Sequence, residues 1–371
     1  MSKTLPLSEP TRQLITELQS SGLRITDHAA GIPTRRGGAG PSDHKALCID
    51  GHTVMLPVLN QSALSSPFSA TTYGDGELWV ERDGRPVARL SIPARPRFYD
   101  LTTEEGVPYW KIATLHGTDV LATTVLQDCI RYTSRRKACK FCSIGQSLAA
   151  GRTIAHKTPA QLAEVARAAV ELDGVAHMVM TTGTPNLSDR GAAVLCESAR
   201  AVKAAVDLPI QGQCEPPDDD AWFRRMHDAG IDALGMHLEV LAPELRAALM
   251  PGKASVSVER YMEAFVSAVA VFGRGQVSSY VLAGLGDSAE LIVSTARRLI
   301  ELGVYPFVVP FVPIGGTPLE DHPAPSAAFM RQVLTPVAAM LRTAGLVSSE
   351  IKAGCGKCGA CSSLSTYEST R

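Results

Sequence analysis

A chain of 371 residues, 45% of them hydrophobic, can bury a substantial core, and its length suits two domains or one barrel with additions. The formal charge of -1 gives no reason to expect a nucleic-acid partner, which normally demands a basic surplus. No apolar run approaches the roughly 20 residues that cross a bilayer, and the start, Met1 to Arg12, lacks a basic-then-apolar signal pattern, so the expected setting is cytoplasmic with no membrane partner.

In chain order, apolar positions at Leu7, Leu14, Ile15 and Leu18 predict a helix from Leu7 to Ser20. Arg35 to Pro41 has the glycine and proline content of a loop, and its arginines, Arg35 and Arg36, are candidate anion contacts with Arg95 and Arg97. From Lys45 to about Lys111 the pattern is of short strands, His52 to Val58, Gly76 to Glu81 and Pro86 to Ile92. Asp83-Gly84 between the last two signals a hairpin. No 3.6-residue period persists, so residues 1–115 read as an α+β domain, with Trp79, Phe98, Tyr99, Tyr109 and Trp110 as core or as a substrate-facing wall.

From Val120 the rhythm becomes strand then helix. Expected strands are Val120 to Leu126, Val175 to Met180, Pro209 to Gln213, Ala233 to Leu238, Gln276 to Leu282 and Tyr305 to Val312. Helices are expected at Thr158 to Leu172, Ser188 to Ala205, Asp218 to Ala229, Pro243 to Leu249, Val258 to Phe272, Ala289 to Leu302 and Ser326 to Thr343. Crossovers of this length join parallel strands. Six such steps fall short of the eight that close a TIM barrel. The fold class is therefore α/β: a partial (β/α)6 TIM-like barrel over residues 116–345, with the front domain as cover and a cysteine-rich segment at 346–371. Polar and glycine residues collect just after the strand ends, the face where such folds bind ligands.

The nine cysteines are unevenly placed. Cys129, Cys139 and Cys142 form a C-x9-C-x2-C group, and Cys355, Cys358 and Cys361 a C-x2-C-x2-C group. In a reducing compartment clustered thiols mean metal or catalysis more often than disulfides. Three soft thiolates suit zinc or an iron–sulfur cluster, and a four-iron cube held by three would keep one iron open to a non-protein ligand. The glycines between the later thiols let consecutive backbone groups wrap one centre, while Lys352 and Lys357 supply positive charge. Zinc or a redox tail are the alternatives there.

With these residues the stretch from about 120 to 345 resembles the radical S-adenosylmethionine (SAM) superfamily, in the branch of biotin synthase, lipoyl synthase and the HydE-like hydrogenase maturases. The usual spacing there is C-x3-C-x2-C, so the first gap is lengthened here. The resemblance implies a [4Fe-4S] cluster on Cys129, Cys139 and Cys142 whose open iron chelates SAM, with Phe141 near adenine. It places the SAM amino acid at Thr182, Gly183 and Thr184, although the carboxylate usual in that segment is absent. It sets Glu215 on the SAM amino acid or ribose, His237 and Glu239 near SAM and substrate, and Gly284 and Pro313 around the adenosine. The implied activity is generation of a 5'-deoxyadenosyl radical that takes hydrogen from a small-molecule substrate. Sulfur insertion from a second cluster, on Cys355, Cys358 and Cys361, is expected to follow, as lipoyl synthase does with a differently spaced motif. Alternatives are oxidation or rearrangement with that cluster moving electrons or binding substrate, or a non-enzymatic iron–sulfur carrier or redox sensor. The expected electron donor is a flavodoxin or ferredoxin. The fourth ligand of the second cluster is sought among Ser362, Ser363, Ser365, Cys48 and front-domain residues.

Overall fold

A computed structural model describes residues 9–25, 43–74, 76–134 and 136–368, so Arg35 and Arg36 lie outside the described residues. The chain enters through helix α1 (Glu9–Ser21) and builds a first sheet from β1 (Arg24–Ile25), β2 (His44–Ile49), β3 (His52–Pro57), β4 (Phe68–Tyr73), β5 (Glu77–Arg82) and β6 (Arg85–Ser91), with the short α2 (Gln61–Leu64) after β3. Their order across the sheet is β1-β4-β5-β6-β2-β3, antiparallel apart from the β1–β4 pair. The hairpin expected at Asp83-Gly84 is there: Arg82 faces Arg85, and both turn residues have positive φ, +50° and +78°. Paired left-handed residues match the twist of the flanking strands, which is why Asp-Gly suits that site.

The second sheet has seven strands in the order β13-β12-β11-β10-β9-β8-β7. Six run parallel and in sequence: β8 (Val120–Thr124), β9 (His177–Thr181), β10 (Ile210–Gln213), β11 (Ala233–Gly235), β12 (Val277–Ala283) and β13 (Val304–Pro310). Before them, after α3 (Tyr109–Ile112), β7 (Thr114–His116) adds an antiparallel edge beside β8. Among the described residues β13 does not pair with β7, so the sheet stays an open partial barrel, as the count of six steps requires.

The connecting helices are α4 (Ile144–Ala149), α5 (Pro159–Asp173), α6 (Ala192–Ala205), α7 (Ala221–Asp228), α8 (Pro243–Leu249), α9 (Val258–Phe272), α10 (Ala289–Glu301) and α11 (Ala327–Ala344). Their starts follow local chemistry. Thr158 and Gln161 close a reciprocal capping box on α5, with Pro159 in the first turn. Helix α6 begins four residues later than its apolar pattern predicts, because Asn186 Oδ1 accepts the N–H groups of Ser188 and Asp189 and turns the chain first. Among the described residues no helix is long and apolar enough to cross a membrane.

Among the described residues two large apolar cores result, beside a small cluster of Val240, Met250, Leu285 and Phe311. One lies in the first sheet around Leu18, Leu47, Leu56, Phe68 and Val80. The other runs through the barrel and takes in Phe98 and Tyr109, so these two aromatics are core residues and line neither cavity described below. Residues after α11 return to the barrel. Helices α12 (Cys355–Cys358) and α13 (Leu364–Glu368) lie between it and the first sheet. Gly354 N–H reaches His177 Nδ1, Cys355 N–H reaches Gln211 Oε1, and Ala360 C=O accepts from Met55 N–H and Gln19 Nε2. A stretch that reads as a tail in sequence is thus a buried plug.

Candidate active site

The loop from Gln127 to Cys142 leaves β8 and crosses the mouth of the barrel. Its path is fixed at both ends. Ile130 N–H donates to Thr184 C=O at 2.9 Å after β9, while Gly252 N–H reaches Lys137 C=O at 3.0 Å and Lys140 N–H reaches Leu249 C=O at 2.8 Å beyond α8. The lengthened spacing between Cys129 and Cys139 is what carries the chain across that distance. Gly183 is required at the first anchor, because a Cβ there would stand 1.8 Å from the Asp128 carbonyl oxygen.

Two buried ion pairs lie under the loop. The Arg131 guanidinium grips Glu215 bidentately, Nε to Oε1 at 2.9 Å and Nη2 to Oε2 at 2.7 Å, and Thr184 Oγ1 adds a third bond at 2.7 Å. Burial works against the Glu215 carboxylate, yet the Lys253 charge and the bonds from Arg131 and Thr184 prevail and hold its pKa below the ordinary range. The second pair joins Lys253 Nζ to Glu239 Oε2 at 2.7 Å. Glu239 stands at φ +63°, a conformation that non-glycine residues seldom adopt and that aims its carboxylate inward. Burial opposes the Lys253 charge, but Glu239 first, then neighbouring groups, raise its pKa, so it stays protonated.

These groups surround one cavity of about 460 Å³ whose wall contains Cys129, Cys139, Cys142 and, from α12 and its sequel, Cys355, Cys358 and Cys361. Phe141, Thr182, Gly183, Thr184, Glu215, His237 and Glu239 also line it. Of the residues singled out in the sequence, Gly284 and Pro313 stand outside this wall. A Cβ on Gly284 would press on Pro325, and the Pro313 carbonyl accepts from Asn60. Arg95 pairs with Asp100 and Arg97 with Asp173, away from the cavity. Neither Trp79, beneath Arg89, nor Trp110, beside Lys111, lines it.

Sequence reasoning passed over Gln127, Arg131, Lys253, Gln213 and Tyr280. Gln213 Nε2 donates to Cys355 Sγ at 3.1 Å, and the Tyr280 hydroxyl bonds the same sulfur. Tyr280 also packs edge-on against His237, ring centroids 4.5 Å apart. A smaller cavity of about 180 Å³ opens beside Cys142, Ser143, Thr182 and Gly183, and Gln127 lines it. Two buried polar atoms on these walls have no protein partner: Gln127 Oε1 and His237 Nε2. Since His237 Nδ1 accepts the Tyr280 N–H, Nε2 carries the hydrogen and faces the cavity as a donor. Burial, then Lys253, depresses the His237 pKa to about 3, so the ring is neutral.

The donor set fits an iron–sulfur cluster with SAM. Burial pushes the Cys142 and Cys358 thiols up to about 12 and raises Cys139 and Cys355, so these thiols are protonated until a metal's charge draws off the protons. Among the described residues no three His, Cys, Asp or Glu side chains converge on a single ion position. A cube does not ask for that, since each protein ligand binds a different iron. The orphaned acceptor on Gln127 shares its small cavity with Thr182 and Gly183, and its chemistry suits an ammonium group.

Over residues 135–299 the chain matches the family model of the Radical SAM superfamily, a span that holds Cys139 and Cys142 and starts after Cys129. It is 24% identical over 221 residues to bacteriochlorophyllide c C-7(1)-hydroxylase of Chlorobaculum limnaeum, across 54% of this chain and 55% of that protein. The chain therefore spans about half the length of the curated relative it matches. Similar solved structures include methylornithine synthase, PylB, at 17% identity over 72% of this chain and 78% of that one, TM-score 0.49. The [FeFe]-hydrogenase maturase HydG follows at 14% over 64% and 52%, TM-score 0.46.

Proposed function

We propose that this chain, which matches the radical SAM family model over residues 135–299, is a radical SAM enzyme that takes hydrogen from a small substrate held in a cavity shared by two iron–sulfur centres. The observation that supports it is the convergence of all six clustered cysteines on one cavity wall with the buried Glu215 and Lys253 and the half-buried His237 and Glu239. Cys129, Cys139 and Cys142 would hold the SAM-binding cluster, and Cys355, Cys358 and Cys361 a second one. When bound, the first cluster and SAM supply a 5'-deoxyadenosyl radical, and the second supplies sulfide for insertion into the substrate.

The chain's own residues bind, orient and shield. Gln127 Oε1 and the backbone of Thr182, Gly183 and Thr184 receive the SAM amino acid, and Phe141 packs near adenine. The Arg131–Glu215–Thr184 lock fixes the cysteine loop against the strand ends, so positioning survives its lengthened spacing. His237 Nε2–H meets an acceptor on the ligand. The segment 346–371 and the front domain, 1–115, cover the barrel domain, 116–345, and keep water from the reacting carbon. Assignment to the biotin synthase, lipoyl synthase and HydE-like branch, and to the cytoplasm with a flavodoxin or ferredoxin as reductant, belongs to the same proposal.

Sulfur insertion is favoured over simple electron transfer because the second thiol group borders the substrate space itself. Ser362 Oγ is spent on the Val308 carbonyl and Ser363 Oγ on Thr16, so the adjacent hydroxyls are occupied elsewhere. A second reading, oxidation with the second centre accepting an electron, draws on the relative named as a hydroxylase. Anaerobic turnover with SAM and dithionite tests both. Release of 5'-deoxyadenosine that stops in Cys142→Ala supports the enzyme, and its absence refutes it. Loss of sulfide from the second centre in one turnover marks insertion, and full retention marks oxidation.

A further inference from the structure

We infer that Gln213 and Tyr280 are positioning residues for the second thiol group: by donating two hydrogen bonds to the Cys355 sulfur they raise the reduction potential of the iron–sulfur centre held there. This rests on the two-centre reading above. Gln213 Nε2 reaches Cys355 Sγ at 3.1 Å, and the Tyr280 hydroxyl bonds the same atom. The donors come from two different barrel strands, β10 and β12, and both residues line the cavity. A neutral thiol is a weak acceptor, whereas a metal-bound thiolate carries the charge that two such donors satisfy.

Both donors are held in place by their surroundings. Gln213 Nε2 also donates to Gln211 Oε1 at 2.7 Å, so turning the amide over would set oxygen against oxygen. Gln211 is fixed in turn, Nε2 to Ser278 Oγ at 3.1 Å and Oε1 from the Cys355 N–H at 3.1 Å. Both glutamines are buried, where an amide is costly unless it is bonded. The Tyr280 ring packs edge-on against His237 and Phe307, centroids 4.5 and 5.1 Å away, and its backbone N–H bonds His237 Nδ1. Gly354 lets the chain come this close, since a Cβ there would stand 2.1 Å from Gln211 Cδ. Donors aimed at a cluster sulfur stabilise the more electron-rich state. The pair therefore favours uptake of one electron, either the one a substrate radical gives up on oxidation or the one a sulfide leaves on the irons when it bonds to that radical.

The test is a potentiometric titration of anaerobically reconstituted wild type, Gln213→Leu, Tyr280→Phe and the double variant, followed by electron paramagnetic resonance. Each single variant lowers the second centre's midpoint, its equilibrium constant for reduction falling about three- to tenfold for each donor lost. The double variant falls further. The first centre, whose signal vanishes in Cys142→Ala, keeps its midpoint. In reduced wild type carrying nitrogen-15 glutamine the second signal couples to a glutamine nitrogen, and in deuterium oxide to exchangeable deuterons. Gln213→Leu loses the nitrogen coupling and Tyr280→Phe one of the deuterons. These couplings are read in wild type, so a variant that fails to hold iron leaves the test standing. Their absence, or equal midpoints in wild type and variants, would overturn the inference while two centres remain. A single cluster signal with about four irons per chain would refute the two-centre reading, and the inference with it.

Discussion

Glu215→Gln perturbs the lock under the cysteine loop most sharply. It removes the negative partner of Arg131, whose side chain is only 7% exposed, and leaves that guanidinium charge buried and uncompensated. Breaking a buried pair from one side costs about 3–5 kcal/mol. At roughly 2.1 cal/mol/K of unfolding entropy per residue, a 371-residue chain changes its Tm by about 4–6 °C for that cost. Removing both partners together, in Arg131→Met/Glu215→Leu, takes away the stranded charge and should recover most of the loss. Scanning calorimetry on the metal-free protein at neutral pH compares wild type with both variants. The reasoning fails if the single substitution melts within about 1 °C of wild type, or if the double variant falls as far as the single one. The pH dependence has a definite sign. Glu215 has a lowered folded pKa, so its contribution is complete above the ordinary carboxylate range and is lost as pH falls through that lowered value.

Cys355→Ala should lower the iron content of reconstituted protein from about eight to about four per chain, read by colorimetric iron and sulfide analysis. Gln127→Leu removes the orphaned acceptor from the small cavity it shares with Gly183 and should weaken SAM binding by about tenfold, the worth of one buried charge-assisted bond, in equilibrium dialysis. His237, with its pKa depressed to about 3, should show a neutral ring with hydrogen on Nε2 throughout pH 5–8 in nitrogen-15 spectra. A midpoint near 6.5 would contradict its burial. Gly183→Ala cannot fit a Cβ 1.8 Å from the Asp128 carbonyl oxygen, so the loop must shift and cluster incorporation should fall, seen as lost visible absorbance.

Much of the barrel is legible in the residues. Six apolar strand candidates between Val120 and Val312, spaced by helices, correspond to β8 through β13 in order. The strand ends differ where backbone geometry overrides apolarity. Ala233–Gly235 is a shorter strand than its pattern suggests, because the chain bends away toward the left-handed Glu239. The antiparallel Thr114–His116 and the strands His44–Ile49 and Phe68–Tyr73 are too short or too mixed to show a period in the sequence. Cysteines, Glu215 and His237 announce themselves by type and position. Lys253 and Arg131 do not, since nothing in a linear string says that these cations meet Glu239 and Glu215 across the cavity. Nor does spacing show that Cys355, Cys358 and Cys361 fold back onto the wall that holds Cys129. That follows from backbone bonds to His177, Gln211 and Met55, which no local pattern encodes.

Electron paramagnetic resonance of the anaerobically reconstituted, dithionite-reduced protein tests most directly whether two centres share this cavity and one of them binds SAM. Two cluster signals are predicted, with SAM reshaping only the one that disappears in Cys142→Ala while the other disappears in Cys355→Ala. A single signal indifferent to SAM, or zinc in place of iron among Cys129, Cys139 and Cys142, would contradict it.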